Sequence, residues 1–313
     1  MTRAFLFPGQ GSQAVGMGRE LAAAFAPARA VFEEVDDALK QNLSGLMFAG
    51  PEAELTLTEN AQPALMAVSL AVVRTLEKEG GLDLARHAAF VAGHSLGEYS
   101  ALAAVGTFAL PDAARLLKTR GRAMQEAVPV GQGAMAALLG IDLDQVRAVA
   151  EESRQGEVCD AANDNAPGQV VVSGHKSAVE RAVAIAKTKG AKRALLLPVS
   201  APFHCALMAP AAEVMIEALA DVQLHAPTVP IVANVTALPS REIGEIRRQL
   251  AEQVTGMVRW RESVEFLHRQ GVAQAVELGA GKVLAGLVKR IAPDIAASSV
   301  GTPAEVEAFL KTL

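Results

Sequence analysis

Residues 88–104 read AAFVAGHSLGEYSALAA, and this stretch decides the fold class. The apolar run 88–92 predicts a buried strand, and 96–104 can form a helix. Gly93-His94-Ser95-Leu96-Gly97 lies between them and matches G-x-S-x-G, whose glycines allow a sharp turn. This context predicts a nucleophile elbow, with Ser95 at a helix N-terminus whose backbone N–H groups face a developing oxyanion. The alternative is a plain turn in which the serine only caps the helix.

The same alternation of strand and helix continues along the chain. It predicts an α/β fold with a parallel sheet in a large, α/β-hydrolase-like subdomain. The strand candidates are 4–7, 88–92, 194–199, 229–233 and 273–278. The helix candidates are 17–26, 28–39, 61–78, 96–104, 110–127, 210–219, 240–253 and 261–270.

Residues 128–196 follow a different order. Strand 134–139, helix 142–153, strand 158–162, an Asn/Asp-rich loop, strand 169–173, helix 176–189 and strand 191–197 give the order β-α-β-β-α-β. This order is typical of ferredoxin-like units. We therefore expect a small ferredoxin-like subdomain, 128–196, inserted into a large subdomain formed by 1–127 and 197–313.

Composition excludes several classes of function. The formal net charge of −5 argues against a general nucleic-acid binder. The two cysteines are too few for a disulfide framework and lack metal-site spacing, so no metal is expected. The apolar region 88–110 contains Glu98 and so disfavours a membrane span. With no visible targeting segment, we expect a cytoplasmic protein, and with no interface pattern we expect a monomer.

A serine nucleophile needs a base, and the chain has six histidines. Most lie beside charged or turn residues. His204 differs because it follows the end of a predicted strand, in the loop Ala201-Pro202-Phe203-His204-Cys205. Loops at strand ends are where α/β folds present catalytic groups. His204 is therefore the candidate base, against the alternative of an ordinary loop histidine.

Several motifs together resemble one family. They begin with Phe7-Pro8-Gly9-Gln10-Gly11-Ser12-Gln13 and include the elbow with Glu98-Tyr99. They continue with Arg120-Gly121-Arg122-Ala123-Met124-Gln125, Asn165-Ala166-Pro167-Gly168-Gln169, Ala201-Pro202-Phe203-His204 and Glu277-Leu278-Gly279. Their order and spacing are similar to those of malonyl-CoA:acyl carrier protein transacylases from residue 5 to about residue 287.

The resemblance implies a role for each site residue. Ser95 is the nucleophile and His204 its base. Gln10 and the backbone N–H of Leu96 form the oxyanion hole. A glutamine on a late helix orients the histidine. Gln253 matches that position best, with Gln249 as its rival.

The resemblance also implies how the substrate is selected. Arg120 holds the free carboxylate of malonyl, for which a guanidinium fork suits two parallel hydrogen bonds. Phe203 and Leu96 are bulky and crowd an α-methyl branch, which favours malonyl over methylmalonyl. Asn163 and Asn165 are weaker candidates for the pocket lining, since turn formation is the favoured explanation for both.

The implied partners are malonyl-CoA and an acyl carrier protein, in fatty acid biosynthesis or polyketide synthesis. No cofactor is expected, because coenzyme A belongs to the donor and phosphopantetheine to the carrier. Two rival functions share parts of this site. One is a serine acyl hydrolase or thioesterase, and the other is a non-catalytic module that binds acyl carriers.

Overall fold

The computed structural model describes residues 2–313, which form fifteen α-helices and ten strands. The strands are β1 (Arg3–Phe7), β2 (Phe90–Gly93), β3 (Gly133–Leu139), β4 (Cys159–Ala166), β5 (Gln169–His175), β6 (Arg193–Leu196), β7 (Ile231–Val232), β8 (Pro239–Ser240), β9 (Gln274–Leu278) and β10 (Ala296–Val300). The helices are α1 (Arg19–Ala24), α2 (Ala26–Leu39), α3 (Leu43–Ala49), α4 (Glu52–Leu55), α5 (Thr58–Gly80), α6 (Leu84–His87), α7 (Leu96–Ala104), α8 (Leu110–Glu126), α9 (Leu143–Arg154), α10 (Lys176–Thr188), α11 (Ala209–Ala220), α12 (Ile243–Glu252), α13 (Trp260–Arg269), α14 (Val283–Ile291) and α15 (Pro303–Leu310).

The large sheet has the strand order β10-β9-β1-β2-β7-β8. Every pair in it is parallel except β7 with β8, which is antiparallel and lies at one edge. Residues 4–7 of β1 and 91–93 of β2 are buried, because helices cover both faces of the sheet. This burial explains why both strands read as apolar runs, and it confirms the predicted α/β class.

The second sheet has the order β4-β5-β3-β6, and all its pairs are antiparallel. Along the chain the elements follow as β3-α9-β4-β5-α10-β6, which confirms the predicted ferredoxin-like order. Apolar side chains of α9 and α10 pack on this sheet in a core of their own. All four strands lie inside the expected insert, and the boundaries at 128 and 196 stay a prediction.

The prediction of an Asn/Asp-rich loop after residue 162 is wrong. Residues 163–165 lie within β4, and only Pro167-Gly168 forms the connection to β5. The strand continues because Asp164 donates its backbone N–H to the Val258 carbonyl and Val258 donates to Ala162, both at 2.9 Å. The pairing of β4 with β5 is irregular around this segment, so the sequence lacks the pattern of a regular strand there.

Other elements differ from the expectations at their ends. The helix expected over 17–26 is shorter, Arg19–Ala24, since Phe25 is extended, and the helix expected from residue 28 begins two residues earlier, at Ala26. The strand expected over 194–199 stops at Leu196, and Pro198 follows in irregular backbone. Strand β10 was not predicted. It is an edge strand whose residues are partly exposed, so it lacks a continuous apolar run.

The longest helix, α5, has 23 residues and packs against α2 and α8. Its first half is buried and includes polar side chains, among them Gln62. Within residues 2–313, no helix combines the length and the apolar character that a membrane crossing requires.

The two subdomains are joined by a buried ion pair. Asp164 of β4 is 1% exposed, and its Oδ2 lies 2.8 Å from Nη2 and 3.0 Å from Nε of Arg261 on α13. Burial raises the pKa of Asp164, against the opposing effect of the arginine. Arg261 also reaches Glu265 at 2.8 Å. The buried negative charge of Asp164 therefore depends on Arg261 for its compensation.

Arg261→Ala should therefore lower the free energy of unfolding by about 3 kcal/mol, because a buried charge loses its partner. Urea titration followed by circular dichroism measures the change. Arg248→Ala is the matched control. It removes an exposed arginine that pairs with Glu252 one turn away, which contributes about 0.3–0.5 kcal/mol. Equal effects of the two substitutions would contradict a structural role for the buried pair.

Candidate active site

The turn that presents Ser95 depends on two close backbone approaches. Ser95 has φ 53° and ψ −113°, a conformation that L-residues rarely adopt. A Cβ at Gly93 would lie 1.9 Å from the Gly97 carbonyl carbon, and one at Gly97 would lie 2.2 Å from the Phe7 oxygen. Only glycine fits at either position, so the G-x-S-x-G pattern has a steric cause here.

His204 faces the serine. Its Nε2 lies 2.8 Å from Ser95 Oγ, and its Nδ1 lies 2.8 Å from the Gln253 backbone oxygen. A carbonyl oxygen can only accept, so Nδ1 carries the proton and Nε2 offers its lone pair to the serine hydroxyl. The carbonyl thus fixes the tautomer that a general base needs.

The environment keeps His204 neutral. The side chain is almost fully buried, and burial lowers its pKa to about 3, with the positive charge of Arg120 as the second cause. At neutral pH the imidazole is therefore unprotonated and able to accept a proton.

The two candidate glutamines of α12 and its C-terminus have different surroundings. Gln253 contacts the site with its side chain as well as its carbonyl. Its Nε2 donates to the Ser95 carbonyl at 3.0 Å and to Glu98 Oε2 at 2.7 Å. Gln249 instead donates to Glu245 at 3.0 Å. The structure places Gln253, and not Gln249, against the histidine.

Arg120 is a buried cation beside the nucleophile. Its Nη2 lies 3.2 Å from Ser95 Oγ and 2.8 Å from Gln253 Oε1, and its Nη1 lies 2.7 Å from Gln62 Oε1. These acceptors are all neutral. No carboxylate between residues 2 and 313 lies within ion-pair distance of it, and Nε has no hydrogen-bond partner there. Burial accordingly lowers the pKa of this guanidinium.

Glu98 is a buried carboxyl that is linked to this arginine through a hydrogen-bonded side chain. The Gln253 amide joins the two, since its Oε1 accepts from Arg120 and its Nε2 donates to Glu98. Burial raises the pKa of Glu98 to about 7, and the hydrogen bonds from Gln253 and Asn234 and the charge of Arg120 oppose this. The arginine therefore meets no carboxylate directly, and its Nε–H and one Nη1–H make no hydrogen bond within residues 2–313.

Ser95 and His204 open into a cavity of about 750 Å³. Seven of the eight predicted site residues line it. The lining residues of this set are Gln10, Ser95, Leu96, Arg120, Asn163, Phe203 and His204. Gln253 lies behind this wall. Leu96 begins α7, so its amide has no partner within the helix. Gln10 holds Thr58 Oγ1 at 3.0 Å through Nε2, which leaves one N–H for another acceptor.

Sequence reasoning missed several residues of the site. Gln62 orients Arg120, and the available signal was an amide side chain in the first half of the long helix α5, just before its apolar run. Asn165 was only a weaker candidate for the pocket lining, and it binds His94 Nε2 at 2.9 Å on the cavity wall. Asn234 binds the elbow itself, at 2.7 Å from the Ser95 nitrogen. It lies two residues after the end of β7, and the ends of parallel strands are where such sheets present ligand-binding groups.

Comparison with known proteins defines the class and then the family. The acyl transferase domain model matches residues 4–290, so the chain is an acyltransferase. A malonyl CoA-acyl carrier protein transacylase of Salmonella typhimurium is 48% identical over 307 residues, 98% of each chain. The structure of an acyl-carrier-protein S-malonyltransferase from Bartonella henselae superposes with a TM-score of 0.97 at 56% identity, covering 100% of this chain and 99% of that one. The chain belongs to the malonyl CoA-acyl carrier protein transacylase family, as its motifs indicated.

A third relative is the malonyl-transacylase in a structure described as its complex with a type II PKS acyl carrier protein. It is 43% identical to this chain with a TM-score of 0.96, and the match covers 100% of both chains.

The electrostatic link between Arg120 and His204 can be measured. Arg120→Gln removes a positive charge that disfavours the imidazolium, so the pKa of His204 should rise. Burial remains the larger cause, and the value should stay below that of a free histidine. NMR titration of labelled imidazoles reports it, with the His204 signal assigned by its loss in His204→Gln.

Arg122→Gln is the control, because Arg122 is exposed on the same helix two residues later. It should leave the His204 titration unchanged. If Arg120→Gln also leaves it unchanged, or if both variants shift it equally, Arg120 does not set the state of the base.

Proposed function

We propose that this chain transfers a malonyl group from malonyl-CoA to the phosphopantetheine thiol of an acyl carrier protein, through an ester on Ser95. The observation that carries the proposal is the 2.8 Å contact between Ser95 Oγ and His204 Nε2, beside the buried guanidinium of Arg120. The names of the curated relatives and the carrier complex of one relative support both substrates. We propose that this carrier is the one of fatty acid biosynthesis.

In the first half-reaction, Ser95 Oγ attacks the thioester carbonyl while His204 Nε2 accepts its proton. The tetrahedral intermediate then collapses, and the imidazolium returns a proton to the departing coenzyme A thiolate. The low pKa of His204 keeps the imidazole unprotonated for the first step, and it favours the second step, because the imidazolium is a strong acid once it has formed.

The oxyanion of this intermediate needs donors that are already in place. We assign this role to the backbone N–H of Leu96 and to Gln10. The amide belongs to the first turn of α7, where the positive end of the helix dipole adds to the stabilisation. Gln10 is held by Thr58, so its remaining N–H is oriented before substrate arrives.

Arg120 selects the acyl group. Its charge is compensated by no ion pair in the described residues, and burial makes such a cation costly. The free carboxylate of malonyl supplies the missing anion. Phe203 and Leu96 restrict the space near Ser95, which favours malonyl over methylmalonyl, although one methyl group contributes only about 1–3 kcal/mol. We assign Asn163 to the pocket wall.

In the second half-reaction, the carrier's thiol attacks the Ser95 ester. His204 accepts the thiol proton and returns it to Ser95 Oγ as the ester bond breaks. The sequence is ping-pong, because coenzyme A leaves before the carrier reacts. A serine hydrolase would use water in this step. Experiment distinguishes transfer to the carrier thiol from hydrolysis.

Wild-type protein mixed with malonyl-CoA should acquire one malonyl group on Ser95, visible by intact-mass and peptide mass spectrometry. Adding the holo carrier protein should remove it and produce malonyl-carrier. Ser95→Ala should form no adduct. His204→Ala should form it far more slowly, since the hydroxyl then lacks its base.

Each rival function predicts a different result from this experiment. A non-catalytic module gives no adduct in the wild-type protein. A hydrolase releases coenzyme A at the same rate with and without the carrier, and no malonyl-carrier appears. Either result would exclude transfer.

Arg120→Ala should discriminate between donors. Malonyl transfer should fall on the order of 100-fold, because a charged hydrogen-bonded contact is lost, whereas acetyl transfer should change far less. Initial rates with malonyl-CoA and acetyl-CoA give the ratio. Equal losses for both donors would show that the arginine acts only through the structure of the site.

A further inference from the structure

The strand next to the nucleophile strand ends early, yet its hydrogen-bond ladder continues. Val91 pairs with Ile231 and Ala92 with Val232 in parallel register, which places residue 94 opposite residue 234. In a regular parallel ladder, residue 234 would donate its backbone N–H to the Gly93 carbonyl and accept from the Ser95 amide. Strand β7 nevertheless ends at Val232.

The side-chain amide of Asn234 makes both of these bonds. Its Nδ2 donates to the Gly93 oxygen at 2.6 Å, and its Oδ1 accepts from the Ser95 nitrogen at 2.7 Å. The backbone groups of Asn234 are engaged elsewhere. Its N–H donates to Glu98 Oε2 at 3.2 Å, and its carbonyl accepts from the Arg259 amide at 3.0 Å.

The asparagine side chain is well suited to take the place of a backbone peptide group in the ladder. Its amide carries one acceptor and two donors in a plane, which matches the peptide group it replaces. The residue is 1% exposed, so water does not compete for these bonds. The bonds lie on both sides of residue 94, where the chain leaves the strand and enters the positive-φ conformation of Ser95.

We propose that Asn234 is the positioning residue of the nucleophile elbow, acting through the Ser95 and Gly93 backbone rather than by contact with substrate. This rests on the proposed role of Ser95. The consequence is a fixed direction for both Ser95 Oγ and the following Leu96 amide. Arg120 makes no hydrogen bond to Asn234, and its partner Gln253 has only a long 3.4 Å contact to Asn234 Oδ1 while it keeps shorter bonds to Glu98 and the Ser95 carbonyl. Loss of Asn234 therefore leaves malonyl recognition by Arg120 in place.

The test compares Asn234→Ala and Asn234→Asp with wild type in single-turnover acylation by malonyl-CoA and by acetyl-CoA. Asn234→Ala loses both bonds, and acylation should fall about 100-fold for both donors, because misplacing a nucleophile and an oxyanion donor carries a penalty of this size. The Kd of malonyl-CoA for the double variant Ser95→Ala/Asn234→Ala should equal its Kd for the single variant Ser95→Ala. Asn234→Asp keeps the side-chain shape and the acceptor for Ser95, so its loss should be smaller.

Asn60→Ala is the matched control. Asn60 is also a buried asparagine, bound to Gln41, Glu54 and Lys118 outside the cavity wall. Asn60→Ala should unfold at a lower temperature than wild type but keep the wild-type acylation rate. A second readout is the rate at which a sulfonyl fluoride, which needs no carboxylate site, modifies Ser95. This rate should fall in both Asn234 variants.

The proposal is overturned if Asn234→Ala acylates as fast as Asn60→Ala, or if only the malonyl reaction is affected. If Asn234→Ala does not fold, Asn234→Asp decides, and wild-type rates in that variant also overturn it. Failure of the proposed function looks different, because the wild-type protein would then react with the sulfonyl fluoride at Ser95 without forming a malonyl ester.

Discussion

The site depends on one hydrogen bond between two residues that are 109 positions apart, Ser95 and His204. Both have positive φ, 53° and 59°, although neither is glycine. Such conformations are unfavourable for L-residues and persist only where surrounding contacts impose them. On the serine side these contacts are the glycine approaches of the elbow and the amide of Asn234. On the histidine side, the Gln253 carbonyl holds Nδ1.

The electrostatics of the site follow from a cation buried without a direct counter-charge. Arg120 lowers the pKa of His204, and it opposes the rise that burial imposes on the pKa of Glu98. Gln253 separates the guanidinium from that carboxyl by the width of one amide. A direct ion pair would occupy the fork that a substrate carboxylate needs. The intervening amide therefore keeps the arginine available while its charge is partly compensated.

The sequence predicted the parts of this arrangement that local rules govern. The elbow has a recognisable pattern because glycine is required at 93 and 97, and the β-α-β-β-α-β order follows from hydrophobic periodicity. Residues that act through tertiary contacts carry no such pattern. Asn234 looks like an ordinary residue after a short strand, because its role exists only once β2 lies beside β7. The segment 163–165 looked like a turn because its pairing partner, Val258, lies almost a hundred residues away.

That segment also explains why an inserted subdomain belongs to the site at all. Neighbouring residues of a strand face opposite sides, so β4 directs Asn163 and Asn165 to the cavity while Asp164 pairs with Arg261 of the large subdomain. The ion pair and the bonds to Val258 fix the position of the strand, and Asn165 then meets His94 beside the nucleophile. The cavity is thus closed on one side by the insert. Because the reactive groups lie on the large sheet and this wall lies on the small one, changes within the insert can alter the shape of the acyl pocket without disturbing the contact between Ser95 and His204.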